Sequence, residues 1–269
     1  MKDIISVQHV TKQFGKVIAV DDISFTVHEG EIFGFLGPNG AGKSTTIKML
    51  TTLLQPTSGH LELAGHNVVK EQDAARRIFG IVFQDPSLDG DLSAWDNMHL
   101  HAVLYKIDKK TFKARIEELM KLVELWDRKD SLVKTFSGGM RRRLEIARGL
   151  LHHPKILFLD EPTLGLDAQT RNLLWNYIKR MNEQEGMTIF FTTHYLGEAE
   201  AVADRIAIID HGKLKVLGTA EELKRQTGTE SLELAYLELT GKEVRDETLS
   251  GKDSSQEFIR KIVSSRVNK

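Results

Sequence analysis

Through residue 69 the chain alternates apolar and polar positions in short runs rich in β-branched and aromatic residues, broken by turn signals at Phe14-Gly15-Lys16 and His28-Glu29-Gly30. This period of two predicts a succession of short strands. One stretch departs from it: 31–36 is apolar and strand-like, 37–42 is glycine-rich, and 43–54 sets Ile47, Leu50 and Leu54 on one helical face. A strand, a loop and a helix are expected there. From Pro86 to about His153 the period lengthens, with Phe112, Ile116, Leu119, Val123 and Trp126 recurring at steps of four and three among charged residues. That pattern predicts an inserted helical lobe over about 86–153.

Sheet character returns at 156–159 and 188–192, two short apolar runs separated by a helical stretch over 170–184. Such spacing suits βαβ units, which are expected to extend the first sheet. Residues 206–217, turning at His211-Gly212, predict a hairpin, and Thr219-Ala220-Glu221-Glu222 predicts the capped start of a helix. Beyond Thr240 the chain is charged and punctuated by Ser and Gly, although Phe258, Ile259, Ile262 and Val263 would share one helical face.

A chain of 269 residues can bury a substantial core, and with no cysteine it has neither disulfides, thiolate metal ligands nor a cysteine nucleophile. A reducing interior, the cytoplasm by default, is the expectation. The formal net charge of −1 supplies no argument for nucleic-acid binding. The opening residues contain no apolar signal region, and no apolar run approaches the roughly 18 to 20 residues that span a bilayer. Any membrane path would therefore belong to another chain.

Gly37, Pro38, Asn39, Gly40, Ala41, Gly42, Lys43, Ser44 and Thr45 match the phosphate-loop pattern GxxxxGK[ST] in full, between a strand and a helix. Glycines let the backbone wrap an anion with its N–H groups inward, and the helix N-terminus adds its positive end. Lys43 would hold the β and γ phosphates of a nucleotide, and Ser44 would ligate Mg²⁺. The run 155–159 delivers Asp160 and Glu161 at the carboxyl end of a buried-type strand, where open α/β sheets place ligands. Asp160 would hold the metal through water, and Glu161 would act as general base for in-line attack on the γ phosphate.

Many phosphate-loop enzymes share those two elements. Ser137, Gly138, Gly139, Met140 and Arg141, some twenty residues before Asp160, resemble the signature of the ABC ATPases. As a helix cap, Ser137 with two glycines leaves backbone N–H groups free to face an anion. The resemblance covers about residues 4–240 and is filled out by Gln84, by Gly165-Leu166-Asp167 and by His194. It implies an α/β fold: a P-loop NTPase core with an antiparallel β subdomain and the inserted helical lobe, the ATPase domain spanning 1–226 and a partly ordered accessory segment spanning 227–269. It implies that Gln84 touches Mg²⁺ and relays to a membrane partner, that Asp167 communicates across a dimer, and that His194 contacts the γ phosphate. Phe14 stands where the family has an aromatic residue stacked on adenine, although an aromatic ending a strand equally suits a core. Met140 replaces the usual Gln of the signature. The family works as a head-to-tail dimer, each ATP held by one phosphate loop and by Ser137, Gly138, Gly139 and Met140 of the other copy.

Arg142-Arg143-Leu144-Glu145-Ile146-Ala147-Arg148, the stretches 51–59 and 84–89, and Leu237-Glu238-Leu239-Thr240-Gly241 resemble the subgroup containing daunorubicin-resistance ATPases. Members pair with a separate ABC-2 type membrane protein, so the resemblance implies a cytoplasmic ATPase, peripheral on the inner face of the membrane, serving export of a drug- or antibiotic-like substrate. The loop 84–95 is the natural docking point for that partner, with Leu88, Leu92 and Trp95 either in that contact or in the lobe's core. Arg141, Arg142 and Arg143 read as a solvated helix face or phosphate-adjacent support. A soluble ABC ATPase without a membrane partner, or an importer ATPase, is the alternative.

Overall fold

The structure is a computed structural model that describes residues 2–241. The apolar face expected at Phe258, Ile259, Ile262 and Val263 lies outside the described residues.

Strands β1 (Asp3–Phe14) and β2 (Val17–His28) form a hairpin, with Phe14 paired to Val17 and Gly15 at φ 55 in the turn. They are long rather than short. β1 also pairs antiparallel with β4 (Ser58–Leu63), which pairs with β5 (His66–Asn67), giving a four-stranded sheet ordered β2-β1-β4-β5. Separately, β10 (Lys213–Gly218), β9 (Arg205–Asp210), β3 (Ile32–Leu36), β8 (Thr188–Thr193), β7 (Ile156–Asp160) and β6 (Phe79–Val82) form a six-stranded sheet in that order. All its pairs are parallel except the β9–β10 hairpin. The expected extension of the first sheet is thus corrected: β3 leaves its sequence neighbours to pair with β8 and β9. The reason is in the pattern, since every residue of β3, β7 and β8 is buried and needs cover on both faces. β1 and β2 bury mainly alternate positions and face one core only.

The two faces of the six-stranded sheet own separate cores. Phe33, Phe35, Phe158 and Phe190 point to the antiparallel side and pack with Phe25, with ring centroids 5.5–6.2 Å apart. Leu36, Leu157, Leu159, Ile189 and Phe191 point the other way, into the helices. Between β3 and β4, α1 (Lys43–Leu50) stops short of the expected Leu54. Thr51 caps it, and Thr52 leaves the helix with a left-handed backbone at φ 64; two consecutive β-branched residues are weak helix formers, and Pro56 follows shortly after. α2 (Gln72–Arg76) leads into β6.

The lobe contains α3 (Ala94–Leu104), α4 (Lys109–Leu122) and α5 (Gly138–Gly149), capped by Ser93, Asp108 and Ser137. Phe112, Ile116, Leu119 and Val123 are buried, while Trp126 begins a separate 3₁₀ turn after Glu124 adopts φ 55. Leu88 and Trp95 pack against the lobe's core. The lobe's exposed large apolar residues are instead Leu100, Val103 and Leu104 on α3, together with Leu132 between α4 and α5. α6 (Ala168–Glu185) and α7 (Leu196–Val202) flank β8, and the hairpin turns at His211-Gly212 as its pattern predicts. Thr219 and Glu222 form a reciprocal capping box on α8 (Ala220–Thr227), which is followed by α9 (Leu232–Thr240).

Candidate nucleotide site

β3, β8 and β7 lie side by side and parallel, so the loops after them open on one edge of the sheet. The loop after β3 is held by close backbone approach. A Cβ on Gly37 would fall 2.3 Å from the Ile209 carbonyl oxygen, and one on Gly42, at φ 112, would fall 2.6 Å from that of Ala19. Only glycine fits either position. The Ala41 amide donates to Pro38 O at 3.1 Å, and Asn39 and Gly40 are exposed. α1 begins at Lys43 and is oriented so that its unpaired first-turn amides, including those of Ser44 and Thr45, adjoin this loop, a favourable place for an anion.

Lys43 is buried. Its ammonium donates to Gly37 O at 2.7 Å and to Pro38 O at 3.2 Å, and lies 3.3 Å from Glu161 Oε1. Burial lowers its pKa, opposed by the negative charges of Glu161 and Asp160. Asp160, at the end of β7, accepts from Thr192 Oγ1 at 2.6 Å and from Ser44 Oγ at 3.3 Å. The next residue, Glu161, takes a left-handed backbone at φ 48, a conformation that costs a non-glycine residue about 1–3 kcal/mol. Its amide donates to Thr192 Oγ1 at 3.0 Å, and its Oε2 lies 2.7 Å from His194 Nδ1.

Glu161 is therefore gripped between Lys43 and His194. Burial alone would raise its pKa, but the hydrogen bond with His194 and the charge of Lys43 outweigh it and hold the carboxyl below its ordinary 4.5. At neutral pH it is ionised, the state a proton acceptor needs. Ser44 Oγ and Asp160 supply hard oxygens of the kind Mg²⁺ prefers. Among the described residues no group of three or more His, Cys, Asp or Glu could hold a metal unaided. An ion here would draw the rest of its coordination from phosphate oxygens and water.

Other sequence-derived candidates lie around this centre. Gln84 is exposed, two residues past β6. Phe14 is 48% exposed, which argues against the core role, and Lys12 Nζ lies 5.0 Å from its ring centroid. Ser137 caps α5 and accepts from the Met140 amide at 3.2 Å, while Met140 itself packs on the lobe's core, where an apolar residue suits. A Cβ on Gly139 would meet Thr170 Cγ2 at 2.5 Å, whereas one on Gly138 would meet nothing within 4 Å. Asp167 caps α6, accepting from the Thr170 amide at 2.9 Å and from its hydroxyl at 2.6 Å; these hydrogen bonds lower its pKa.

Two residues beside the acids are not among the site residues that the sequence singles out. Thr192 was read only as the end of a strand; its signal is a hydroxyl on a fully buried strand beside the phosphate loop's strand. Arg142 belongs to the run expected to form a solvated helix face or a phosphate-adjacent support, and the structure removes the first for this residue: it is 7% exposed and bonded to the turn that carries Asp160 and Glu161. Its signal is Glu145 one turn later on the buried side of an amphipathic helix.

The ABC transporter family profile matches residues 20–164, over half of the chain. The chain belongs to the ABC transporter family. Within the family it is 43% identical over 225 residues to the daunorubicin/doxorubicin resistance ATP-binding protein DrrA of Streptomyces peucetius, covering 84% of this chain and 68% of that one. It is 40% identical over 234 residues to the daunorubicin resistance ATP-binding protein DrrA3 of Streptomyces coeruleorubidus, covering 87% and 74%. Among solved structures, the ATP-binding subunit of an ABC transporter superposes with a TM-score of 0.81 at 30% identity, over 88% of this chain and 100% of that one. A dimeric, post-hydrolysis ATP-binding cassette bound to ADP and Pi superposes with a TM-score of 0.72 at 28% identity, over 80% and 98%. This ABC chain is thus an ATP-binding, ATP-hydrolysing cassette, and among its described residues no helix is long and apolar enough to cross a membrane.

Proposed function

We propose that the chain is the ATPase subunit of an exporter, acting as a head-to-tail homodimer on the cytoplasmic face of a membrane and driving a separate ABC-2 type permease. The drug-resistance relatives support export of a drug- or antibiotic-like substrate. The observation that carries the catalytic part is Glu161, ionised between Lys43 and His194 at the end of the sheet.

In this reading the amides of 37–45 and the Lys43 ammonium hold the β and γ phosphates. Ser44 and Asp160, with Gln84, would hold Mg²⁺, which would neutralise phosphate charge. Glu161 would accept the proton of the water that attacks the γ phosphorus. His194 orients Glu161 through Nδ1 and would contact the γ phosphate through its other nitrogen. Phe14 stacks on adenine. Ser137, Gly138, Gly139 and Met140 face the nucleotide of the second copy, and Asp167 lies between the two sites. The exposed Leu100, Val103 and Leu104 on α3, the helix that follows the loop 84–95, offer the permease an apolar contact.

The test is Mg²⁺-dependent ATP hydrolysis as a function of chain concentration, with Glu161→Gln beside the wild type. Activity rising more than linearly, and a Glu161→Gln chain that is inactive yet dimerises with ATP, are expected. Activity linear in concentration and indifferent to Glu161 would sink the mechanism. Membrane association that requires a co-expressed ABC-2 type subunit would separate the exporter from a soluble ATPase.

A further inference from the structure

The guanidinium of Arg142 engages all its donors. Nε donates to Pro162 O at 2.9 Å, and Nη2 donates to Asp160 O at 3.0 Å and Glu161 O at 3.2 Å. Nη1 donates to Phe83 O and to Glu145 Oε2, the latter at 3.1 Å. Five N–H groups are all an arginine has. Three of them collect three successive carbonyls, from the residue before Glu161 to the residue after it. A fourth holds the carbonyl immediately before Gln84.

The rest of the same helix face grips the other end of the Gln84 segment. Glu145 Oε1 accepts from the Ser87 amide at 2.7 Å and from its hydroxyl at 3.3 Å. Arg148 Nη1 donates to Ser87 O at 2.8 Å, and its Nη2 bonds the Ser87 hydroxyl. Arg142, Glu145 and Arg148 are spaced by three along α5, so they form one polar ridge. At its far end α5 is wedged on β6, where a Cβ on Gly80 would fall 2.2 Å from Gly149 O. At its near end it presents Ser137 and Gly138 outward.

We infer that Arg142 is the positioning residue that ties the turn bearing Glu161 and the segment 83–87 to the helix opening at Ser137, so that a displacement of that helix reaches the base. The strained φ of Glu161 needs such a clamp, since that backbone persists only where its surroundings over-determine it. A permease pressing on the lobe, or a second copy's nucleotide drawn onto Ser137, would shift α5 and with it the carbonyls on either side of Glu161. Lysine cannot replace this, because an ammonium has no planar fork to collect three carbonyls. The inference rests on the reading of Glu161 as the base only for its catalytic consequence; the anchoring itself does not.

The test compares the full chain with its Arg142→Lys and Glu145→Gln forms by amide hydrogen exchange, fluorescent-ATP affinity, thermal melting and ATPase kinetics. In Arg142→Lys, exchange over 160–164 and 83–87 is expected to quicken about tenfold or more while β8 is unchanged. Its kcat is expected to fall about a hundredfold with nucleotide affinity and KM nearly unchanged. In Glu145→Gln, which leaves the bonds to Asp160, Glu161 and Pro162 in place, only 83–87 loosens. Unchanged exchange at 160–164 in Arg142→Lys overturns the inference. So does a parallel fall of kcat, nucleotide affinity and melting temperature, which marks a merely structural residue. Should Arg142→Lys fail to fold, Glu145→Gln loosening 160–164 as much as 83–87 would also overturn it. Loosening of both segments in a protein whose hydrolysis ignores Glu161→Gln would keep the anchoring and discard the reading of the base.

Discussion

The Thr192 hydroxyl joins the two acids that end the neighbouring strand, donating to Asp160 Oδ1 at 2.6 Å while accepting from the Glu161 amide at 3.0 Å. One side chain thereby sets the rotamer of Asp160 and satisfies a buried N–H in a left-handed turn. Thr192→Val keeps the shape and removes both bonds. We expect it to destabilise the chain by about 1–3 kcal/mol, the cost of stranding a buried amide, and to lower kcat with it. Urea unfolding would show the loss, and Thr192→Ser should recover most of it.

The two glycines of the signature have separable demands. A methyl on Gly139 collides with Thr170 Cγ2, and that methyl cannot swing away while the Thr170 hydroxyl donates to Asp167. Gly139→Ala is expected to cost about 1–3 kcal/mol of strain, relieved by adding Thr170→Ser, which keeps the hydroxyl and deletes the methyl. Gly138→Ala meets nothing in its own chain, so its melting temperature should match wild type. If Gly138 faces a second copy's nucleotide, that variant loses ATP-driven dimerisation in a Glu161→Gln background. Light scattering with and without ATP reads it.

Much of this architecture was legible because its signals are local. The phosphate loop, the hairpin at His211-Gly212, the capping box at Thr219 and the helical period from Phe112 to Val123 each lie within a few residues, and each takes the predicted form. The partition into two sheets depends on which strands must be covered on both faces. That was visible in the unbroken apolarity of β3 but requires partners far away in sequence. Thr192 was hidden, and Arg142 left between two readings, for the same reason. A threonine in a strand and an arginine in a charged run look ordinary until the fold places them against Asp160 and Glu161.

His101 carries a pH dependence of known sign. Burial, with the charges of Arg148 and His152, pushes its pKa down to about 3 from 6.5, and its Nε2 is buried without a partner. His152, ring-stacked with Tyr105, is lowered too, again chiefly by burial. Folding therefore excludes protons that the unfolded chain binds below pH 6.5, so stability falls as the pH drops from 6.5 toward 3. His101 alone can account for up to about 4 kcal/mol of that loss. His101→Phe retains a ring beside Tyr105 and cannot titrate. Its unfolding free energy should be no lower than wild type at pH 7 and flatter between pH 6.5 and 4; an equally steep decline would refute the assignment.

Glu161 titrates with a different sign of cause and a different window. Its folded pKa lies below 4.5 because the His194 hydrogen bond and the Lys43 charge together exceed the opposing effect of burial. A depressed carboxyl stabilises the fold above its unfolded pKa of about 4.5, and that contribution disappears as the pH falls through the lower folded value. His194→Ala removes the first of the two supports and leaves the burial. The carboxyl's pKa must then move upward, and the stability it contributed must shrink. Unfolding measured from pH 6 to pH 3 should show a smaller Glu161-dependent loss in His194→Ala than in wild type, with Glu161→Gln as the reference that lacks the group. If His194→Ala and wild type lose the same Glu161-dependent stability, the imidazole does not support the charge, and Lys43 alone holds the base ionised.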